Sequence, residues 1–405
     1  MHISTSTSDG GAARIARTLH TRQREMGVSS TLLCGRGDEQ DAEAVFTLGV
    51  RRWRYLANVL LQRMTGQEGV LNRRVWESAI RRFVETADVI HLHNVHGYYL
   101  PYQMLEMLAC RPTVWSLKDE WLMTGRCAFP LECRGYLKQC TPCPYPRRYP
   151  AAWIDRAGVE FLKRRRLVER STALLVTPSE MTRNRFIAAG FPASRFEVIP
   201  NPLRLDGDPT GDRKTRAKRA LGLPSDKTIA LFVAAQAWNS RKGLEVLAAA
   251  ARRLAHPQRW TLCVVGEANR EVYRRFDDHP VETRFEGRVE DRERLALFYL
   301  ASDVLVAPSQ WETFGNIVLE AASMGSRVVC TDIPVFREIL QDTGQYFPVG
   351  DSLRCAEMLE ALSAIGCPPL SQDEVRELRQ RFSLDRITRT YLACYDRVLR
   401  DVVKT

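Results

Sequence analysis

Two glutamates, Glu312 and Glu320, stand eight residues apart in SQWETFGNIVLEAASMG, residues 309–325. Glu320 is surrounded by Ile317, Val318, Leu319, Ala321 and Ala322. A carboxylate in such a stripe is unfavourable unless something pairs with it. On one helix, positions eight apart diverge by about 80°, so the two carboxylates would not share a face. The stretch instead predicts Glu312 and Thr313 on a loop, a turn permitted by Gly315, and Glu320 inside the following helix. First-turn amides near Phe314, Gly315 and Asn316 would then face a ligand. Glu320 would hold ligand hydroxyls, as a carboxylate can grip a diol; the alternative is an ion pair with Arg327 or Arg337.

Four other stretches offer chemistry. In AAQAWNSRKGLEVL, Arg241 and Lys242 precede a helix, where the dipole is already positive. They make sense there if an anion such as a diphosphate binds; otherwise they are a solvated surface pair. Asp9-Gly10-Gly11-Ala12-Ala13-Arg14 follows the first strand. Gly10 and Gly11 let backbone approach a ligand at a helix N-terminus, or simply make a tight turn; the pattern is neither GxGxxG nor a P-loop. HLHNVHGYYL could ligate a metal through its histidines, but His93 at a strand end reads better as a ligand hydrogen-bonder or a buried structural histidine. Cys127, Cys133, Cys140 and Cys143 fall in a Pro/Gly-rich loop, 127–143, ending in Cys-x-x-Cys. They suggest a structural zinc knuckle, with free or redox thiols as the alternative.

Something must position these residues. Apolar strand patterns at 2–5, 31–35, 44–49, 88–93, 113–117, 174–177 and 197–200 alternate with helical ones, and a second set follows at 228–234, 260–266, 303–307 and 327–331. Such alternation predicts an α/β protein with two doubly wound parallel sheets. The expected division is residues 1–201, residues 202–375, and a helical segment 376–405 packing back on the first domain. Ligands of such sheets bind beyond the strands' carboxyl ends, so the expected site is a cleft between the domains.

The 405 residues carry 59 Lys and Arg against 48 Asp and Glu, a formal charge of +11, which implies an anionic partner. The basic runs have no interleaved aromatic platform, which argues against nucleic acid. No apolar run is long enough to span a bilayer. The MHISTSTSDGG start lacks a signal-peptide pattern, and of the eleven cysteines Cys34, Cys263 and Cys330, in strand-like runs, read as buried free thiols of a reducing compartment. A cytoplasmic location is expected. Residues 51–64, RRWRYLANVLLQRM, place Trp53, Leu56, Leu60 and Met64 on one stripe with arginines alongside. That fits a helix on an anionic membrane surface, on the inner face of the membrane, or equally a core helix with snorkelling arginines.

WETFGNIVLEAASMGSRVVCTDIPVFREIL resembles the E-x7-E region of family 4 glycosyltransferases of the GT-B fold. SDGGAARIARTL, HLHNVHGYYL, WSLKDEWLMTGRCAF, VTPSEMTRNRF and VIPNPL follow the order of its exopolysaccharide, colanic-acid-type branch. The resemblance implies retaining transfer of a sugar from a UDP- or GDP-sugar donor to a glycan, lipid-linked or small-molecule acceptor, with no metal cofactor at the reaction centre. It implies that Glu320 holds the nucleotide ribose, that Glu312 and the 314–316 amides hold the donor sugar, and that Lys242 neutralises the departing diphosphate. Gly10 and Gly11 would shape the acceptor and phosphate side. Two positions depart from the branch. Its W-T-L-H-D histidine is replaced by Lys118 in WSLKD, where a lysine can still bind phosphate. Its Gly-Arg after the first strand of the second domain reads Ala234-Ala235-Gln236, with Arg241 the expected substitute. Other readings of the same motifs are a non-catalytic nucleotide-sugar binder and a GT-B epimerase or phosphorylase.

Overall fold

The computed structural model describes residues 1–7, 10–37, 44–203 and 212–403. Ser8, Asp9 and most of the polar connection after Asn201 lie outside the described residues. The chain divides into two units, Met1–Pro202 with Leu384–Thr405, and Leu203–Ser383.

The first unit holds seven strands: β1 (His2–Ser6), β2 (Leu32–Arg36), β3 (Val45–Thr47), β4 (Ile90–Leu92), β5 (Thr113–Ser116), β6 (Leu174–Thr177) and β7 (Phe196–Val198). They lie parallel in the order β3-β2-β1-β4-β5-β6-β7. Central strands such as LLVT are buried along their length, as parallel strands covered on both faces must be. The second unit holds β8 (Thr228–Gln236), β9 (Trp260–Glu267), β10 (Glu282–Gly287), β11 (Val304–Ala307), β12 (Arg327–Thr331) and β13 (Gly344–Phe347). Their order is β10-β9-β8-β11-β12-β13. Each sheet therefore reverses direction once, between β1 and β4 and between β8 and β11, which is where such sheets open a crevice for a ligand.

Two strands escaped the sequence reading, β10 (ETRFEG) and β13 (GQYF). Both are sheet edges and only partly buried, so neither needs the continuous apolar run of a central strand. The terminal helical segment is two helices. Gln372–Arg381 stays with the second unit, and only Leu384–Val403 joins the first, eight residues later than the expected start at 376. The capping box of Ser371 and Glu374 starts the first of these helices, and Arg379 Nε donates to Ser323 O within the second unit at 3.0 Å. The Leu384–Val403 helix places Ile387, Tyr391, Cys394 and Val398 in one core with Ile15, Leu19, Val114 and Val176.

Candidate active site

In the second unit the chemistry collects at the ends of β8 and β11. After β8, Asn239 caps a short turn, Ser240–Lys242, and Gly243 (φ 74°) starts the helix Leu244–Ala251. A Cβ on Gly243 would lie 2.1 Å from Pro308 O, so only glycine lets this turn reach the loop after β11. Gln310 N donates to Arg241 O at 2.8 Å and fastens the two loops together. Lys242 Nζ then lies 2.5 Å from Glu312 Oε1, Arg241 Nη1 lies 3.2 Å from Glu312 Oε2, and Ser309 Oγ donates to Oε1 at 3.0 Å.

Two cations meet one carboxylate here. Burial works to raise the Glu312 pKa, but the Lys242 and Arg241 charges outweigh it and hold the carboxyl below its ordinary value. Burial lowers Lys242 from the usual lysine value, and Glu312 restores only part of that, with Arg241 opposing. Two cations on one carboxylate leave one positive charge in excess, an electrostatic invitation to an anion.

The loop continues into the helix Asn316–Ser323, which the sequence places as expected. Gly315 adopts φ 101°, and a Cβ there would strike the Phe336 ring at 2.5 Å. Phe314 turns inward onto Phe382, their centroids 5.9 Å apart, which leaves its backbone to the loop. Thr313 and Asn316 flank it, both half-buried. Glu320 is buried inside the helix, where its Oε2 accepts from the Tyr299 hydroxyl at 2.8 Å. The arginines considered for it are engaged elsewhere: Arg337 holds Asp332, and Arg327 Nε donates to Pro368 O. Sequence reasoning missed Tyr299 and Ser309. A tyrosine inside the apolar run LALFYLA, residues 295–301, was the available signal, because a buried phenol needs a polar neighbour.

In the first unit, Gly10 (φ 86°) opens the helix Gly10–Glu25 after β1, with Gly11 in its first turn. His93 follows β4 and Lys118 follows β5. The register pairs His2 with His91, and period-two alternation puts His93 on the same face. His2 Nδ1 meets His93 Nε2 at 2.9 Å, and His2 Nε2 meets Gln23 Oε1 at 2.8 Å. His91 bonds Tyr395 OH and Ser116 Oγ, so the C-terminal helix is tied to this core by its tyrosines. Burial, followed by neighbouring positive groups, pushes all three histidines well below the usual value, so they are neutral. Among the described residues, these three form the one group of three metal-type ligands whose atoms lie within 4.8 Å of one another. His96 is elsewhere, 2.6 Å from Asp119. His93 Nδ1 is buried without a hydrogen-bond partner and borders a small cavity shared with Asn94, His96, Lys118 and Asp119. Lys118 Nζ donates to Asn201 Oδ1 at 2.8 Å, and burial lowers its pKa to about 7. The expected site residues thus divide between the units: Gly10, Gly11, His93 and Lys118 in the first, Arg241, Lys242 and 312–320 in the second.

Residues 9–206 match the model of glycosyltransferase family 4, and residues 227–364 match glycosyl transferases group 1. The chain belongs to these glycosyltransferases. WcaC of Escherichia coli (strain K12), named as a colanic acid biosynthesis glycosyl transferase, is 25% identical over 356 residues, 83% of this chain and 84% of its own. The lipopolysaccharide core biosynthesis mannosyltransferase LpsB of Rhizobium meliloti is 29% identical over 53% of this chain and 66% of its own. Among solved structures, Anabaena HepE with UDP and glucose covers 97% of this chain and 98% of its own, at TM-score 0.66 and 16% identity. Sucrose-phosphate synthase of Thermosynechococcus elongatus covers 99% and 100% at TM-score 0.70 and 16% identity. Those likenesses give this glycosyltransferase the GT-B fold. No helix among its described residues is long and apolar enough to cross a membrane.

The two remaining groups of sequence expectations take definite positions. The helix Arg52–Thr65 does not turn its apolar stripe to the core: Trp53, Leu56, Leu60 and Met64 are 57, 56, 47 and 45% exposed, while Asn58 and Gln62 are buried. Trp153, also exposed, is joined to its end by Trp153 N donating to Arg63 O. Of the basic runs, part is structural. Lys214 and Lys218 both pair with Asp303, and buried Arg164 donates to Trp121 O and Thr124 O.

Proposed function

We propose that this glycosyltransferase moves a hexosyl group from a nucleoside diphosphate sugar, with retention of anomeric configuration, onto a glycan or lipid-linked acceptor in polysaccharide assembly. The observation that carries the reading is the Arg241–Lys242–Glu312 cluster at the carboxyl ends of β8 and β11. Its excess cation suits the diphosphate, and its charge is preorganised for the moment the diphosphate leaves. Glu320, oriented by Tyr299, takes the ribose hydroxyls. Glu312 and the amides of Phe314 to Asn316 take the donor sugar. We assign His93 and Lys118 to the reaction and Gly10 and Gly11 to the acceptor and phosphate side, as the family resemblance implies. The polysaccharide setting follows the names of WcaC and LpsB, and a uridine nucleotide follows HepE.

The reading is tested by thermal denaturation with UDP, GDP and their sugars, followed by product NMR with the stabilising donor. A ligand at 100 times its Kd adds about 2.7 kcal/mol. Stabilisation by one nucleotide family, and a product retaining the donor's anomeric form, are expected. A flat panel overturns the donor assignment, and an inverted product overturns retention.

The exposed stripe of the Arg52–Thr65 helix supports a further part of this proposal. Arg51, Arg52 and Trp153 are exposed beside it, so the surface combines aliphatic side chains, tryptophan and arginine in the manner of an interfacial helix. We assign it to an anionic membrane surface on the cytoplasmic side, where a lipid-linked acceptor would be presented. Flotation with phosphatidylglycerol-containing vesicles is expected for the wild type and lost in Leu56→Glu/Leu60→Glu. Equal flotation of both, or none for the wild type, removes the membrane from the proposal.

A further inference from the structure

Residues 124–156 contain no strand and no α-helix, only the short turn Gly135–Lys138. Within 127–143 only Cys127, Ala128 and Pro130 are buried, so apolar packing alone gives this stretch little to fold around. Yet its backbone is specified in detail. Gln139 and Cys140 both take positive φ, 66° and 55°. Cys143 N donates to Asp155 Oδ2 at 2.7 Å, while Asp155 Oδ1 accepts from Ala157 N at the start of the helix Ala157–Arg170.

Two of the four thiols of this stretch accept backbone amides. Gly125 N donates to Cys140 Sγ at 3.2 Å, and Gly135 N donates to Cys133 Sγ at 3.4 Å. A side chain on Gly135 would meet both sulfurs, Cys133 Sγ at 3.4 Å and Cys140 Sγ at 4.0 Å. Cys127 is close enough to Cys143, Cys140 and Cys133 for each to act on its charge. Amide donors on sulfur are what stabilises a thiolate that ligates a metal. Four soft ligands with no carboxylate among them select zinc over magnesium or calcium. The sulfurs do not converge: no three lie within 4.8 Å of one another, and a metal would have to draw them together by side-chain rotation.

We propose that Cys127, Cys133, Cys140 and Cys143 hold one structural zinc ion, which fixes the strap between β5 and the helix Ala157–Arg170. The strap has a direct bearing on the first unit's site. Glu120 N donates to Ala128 O, and Thr124 Oγ1 donates to Cys127 O. These bonds tie the loop to the segment that starts at Lys118 and Asp119.

The inference does not depend on the donor assignment, and its test reads metal rather than activity. Protein made in zinc-replete medium without chelator is expected to carry about one zinc per chain, and Cys140→Ser/Cys143→Ser to lose most of it. His91→Gln is expected to retain the metal. Cobalt exchanged into the wild type should show thiolate-to-cobalt charge transfer and the visible bands of a tetrahedral site, a readout that needs no variant to fold. A metal content near zero, a disulfide among the four cysteines in mapped peptides, or zinc lost from His91→Gln and kept by the cysteine variant overturns the proposal.

Discussion

Replacing Lys242 by methionine separates two consequences of the cluster around Glu312. Lys242 Nζ lies 2.5 Å from Glu312 Oε1, and the two side chains are 19% and 9% exposed. Deleting one partner of a buried pair costs about 3–5 kcal/mol when the other charge is stranded. Glu312 is not stranded, because Arg241 at 3.2 Å and Ser309 at 3.0 Å remain. The loss therefore falls to about 1–3 kcal/mol, the worth of one charge-assisted hydrogen bond. For a domain of this size each kcal/mol lowers Tm by about 2–4 °C. Lys242→Met/Glu312→Gln should not recover that loss, since it also removes the carboxylate that Arg241 still faces in the single variant. Binding of a bare nucleoside diphosphate responds differently. Lys242→Met removes one of two cations and should weaken it by about 1.5–3 kcal/mol, roughly ten- to a hundred-fold or more. Glu312→Gln releases both cations from their carboxylate, so the nucleoside diphosphate should bind at least as tightly while sugar transfer falls. Urea unfolding and calorimetric titration measure the two effects. Equal affinity in wild type and Lys242→Met refutes the diphosphate assignment, and a ten-fold weaker Glu312→Gln refutes the idea that Glu312 competes for the cations.

Three further outcomes are expected. Glu320→Gln keeps an acceptor for Tyr299 but loses the charged grip on a diol, so UDP or GDP affinity should fall about ten-fold or more in the same titration, with Tyr299→Phe falling less. Gly243→Ala puts a Cβ 2.1 Å from Pro308 O at φ 74° and should cost about 2–4 kcal/mol in urea unfolding, loosening the turn that carries Lys242. Lys118 gives a pH signature. Burial lowers its pKa from 10.5 to about 7, so between those values the unfolded chain holds a proton that the folded chain has given up. Stability should therefore rise with pH across that window, and the wild-type slope minus that of Lys118→Met, read from denaturant midpoints, isolates the contribution. A difference of zero would place Lys118 in a solvated setting.

The central strands were legible because parallel strands buried on both faces must be nearly continuous apolar runs. VLVA and RVVCT announce themselves in that way. ETRFEG and GQYF did not, because an edge strand pays no penalty for polar side chains on its open side. The terminal helices blurred into one pattern because both are amphipathic, and the break between them falls at Phe382 and Ser383 with neither proline nor glycine to mark it.

The site was legible where chemistry forces an odd residue into a place that should reject it. Glu320 in an apolar helix and two cations at a helix start were both costly without a partner, and both lead to the cluster at the ends of β8 and β11. What a linear reading could not supply was which neighbours complete these groups. Tyr299 reaches Glu320 from the helix Arg292–Ala301, and Ser309 reaches Glu312 from the strand end; each looks ordinary in sequence. The same holds for His93, whose partner is His2, ninety-one residues away and adjacent only through the register of β1 and β4. A partner supplied by sheet register leaves no local trace, so the apolar setting of a charged or titratable residue shows that a partner must exist, and only the fold says which one.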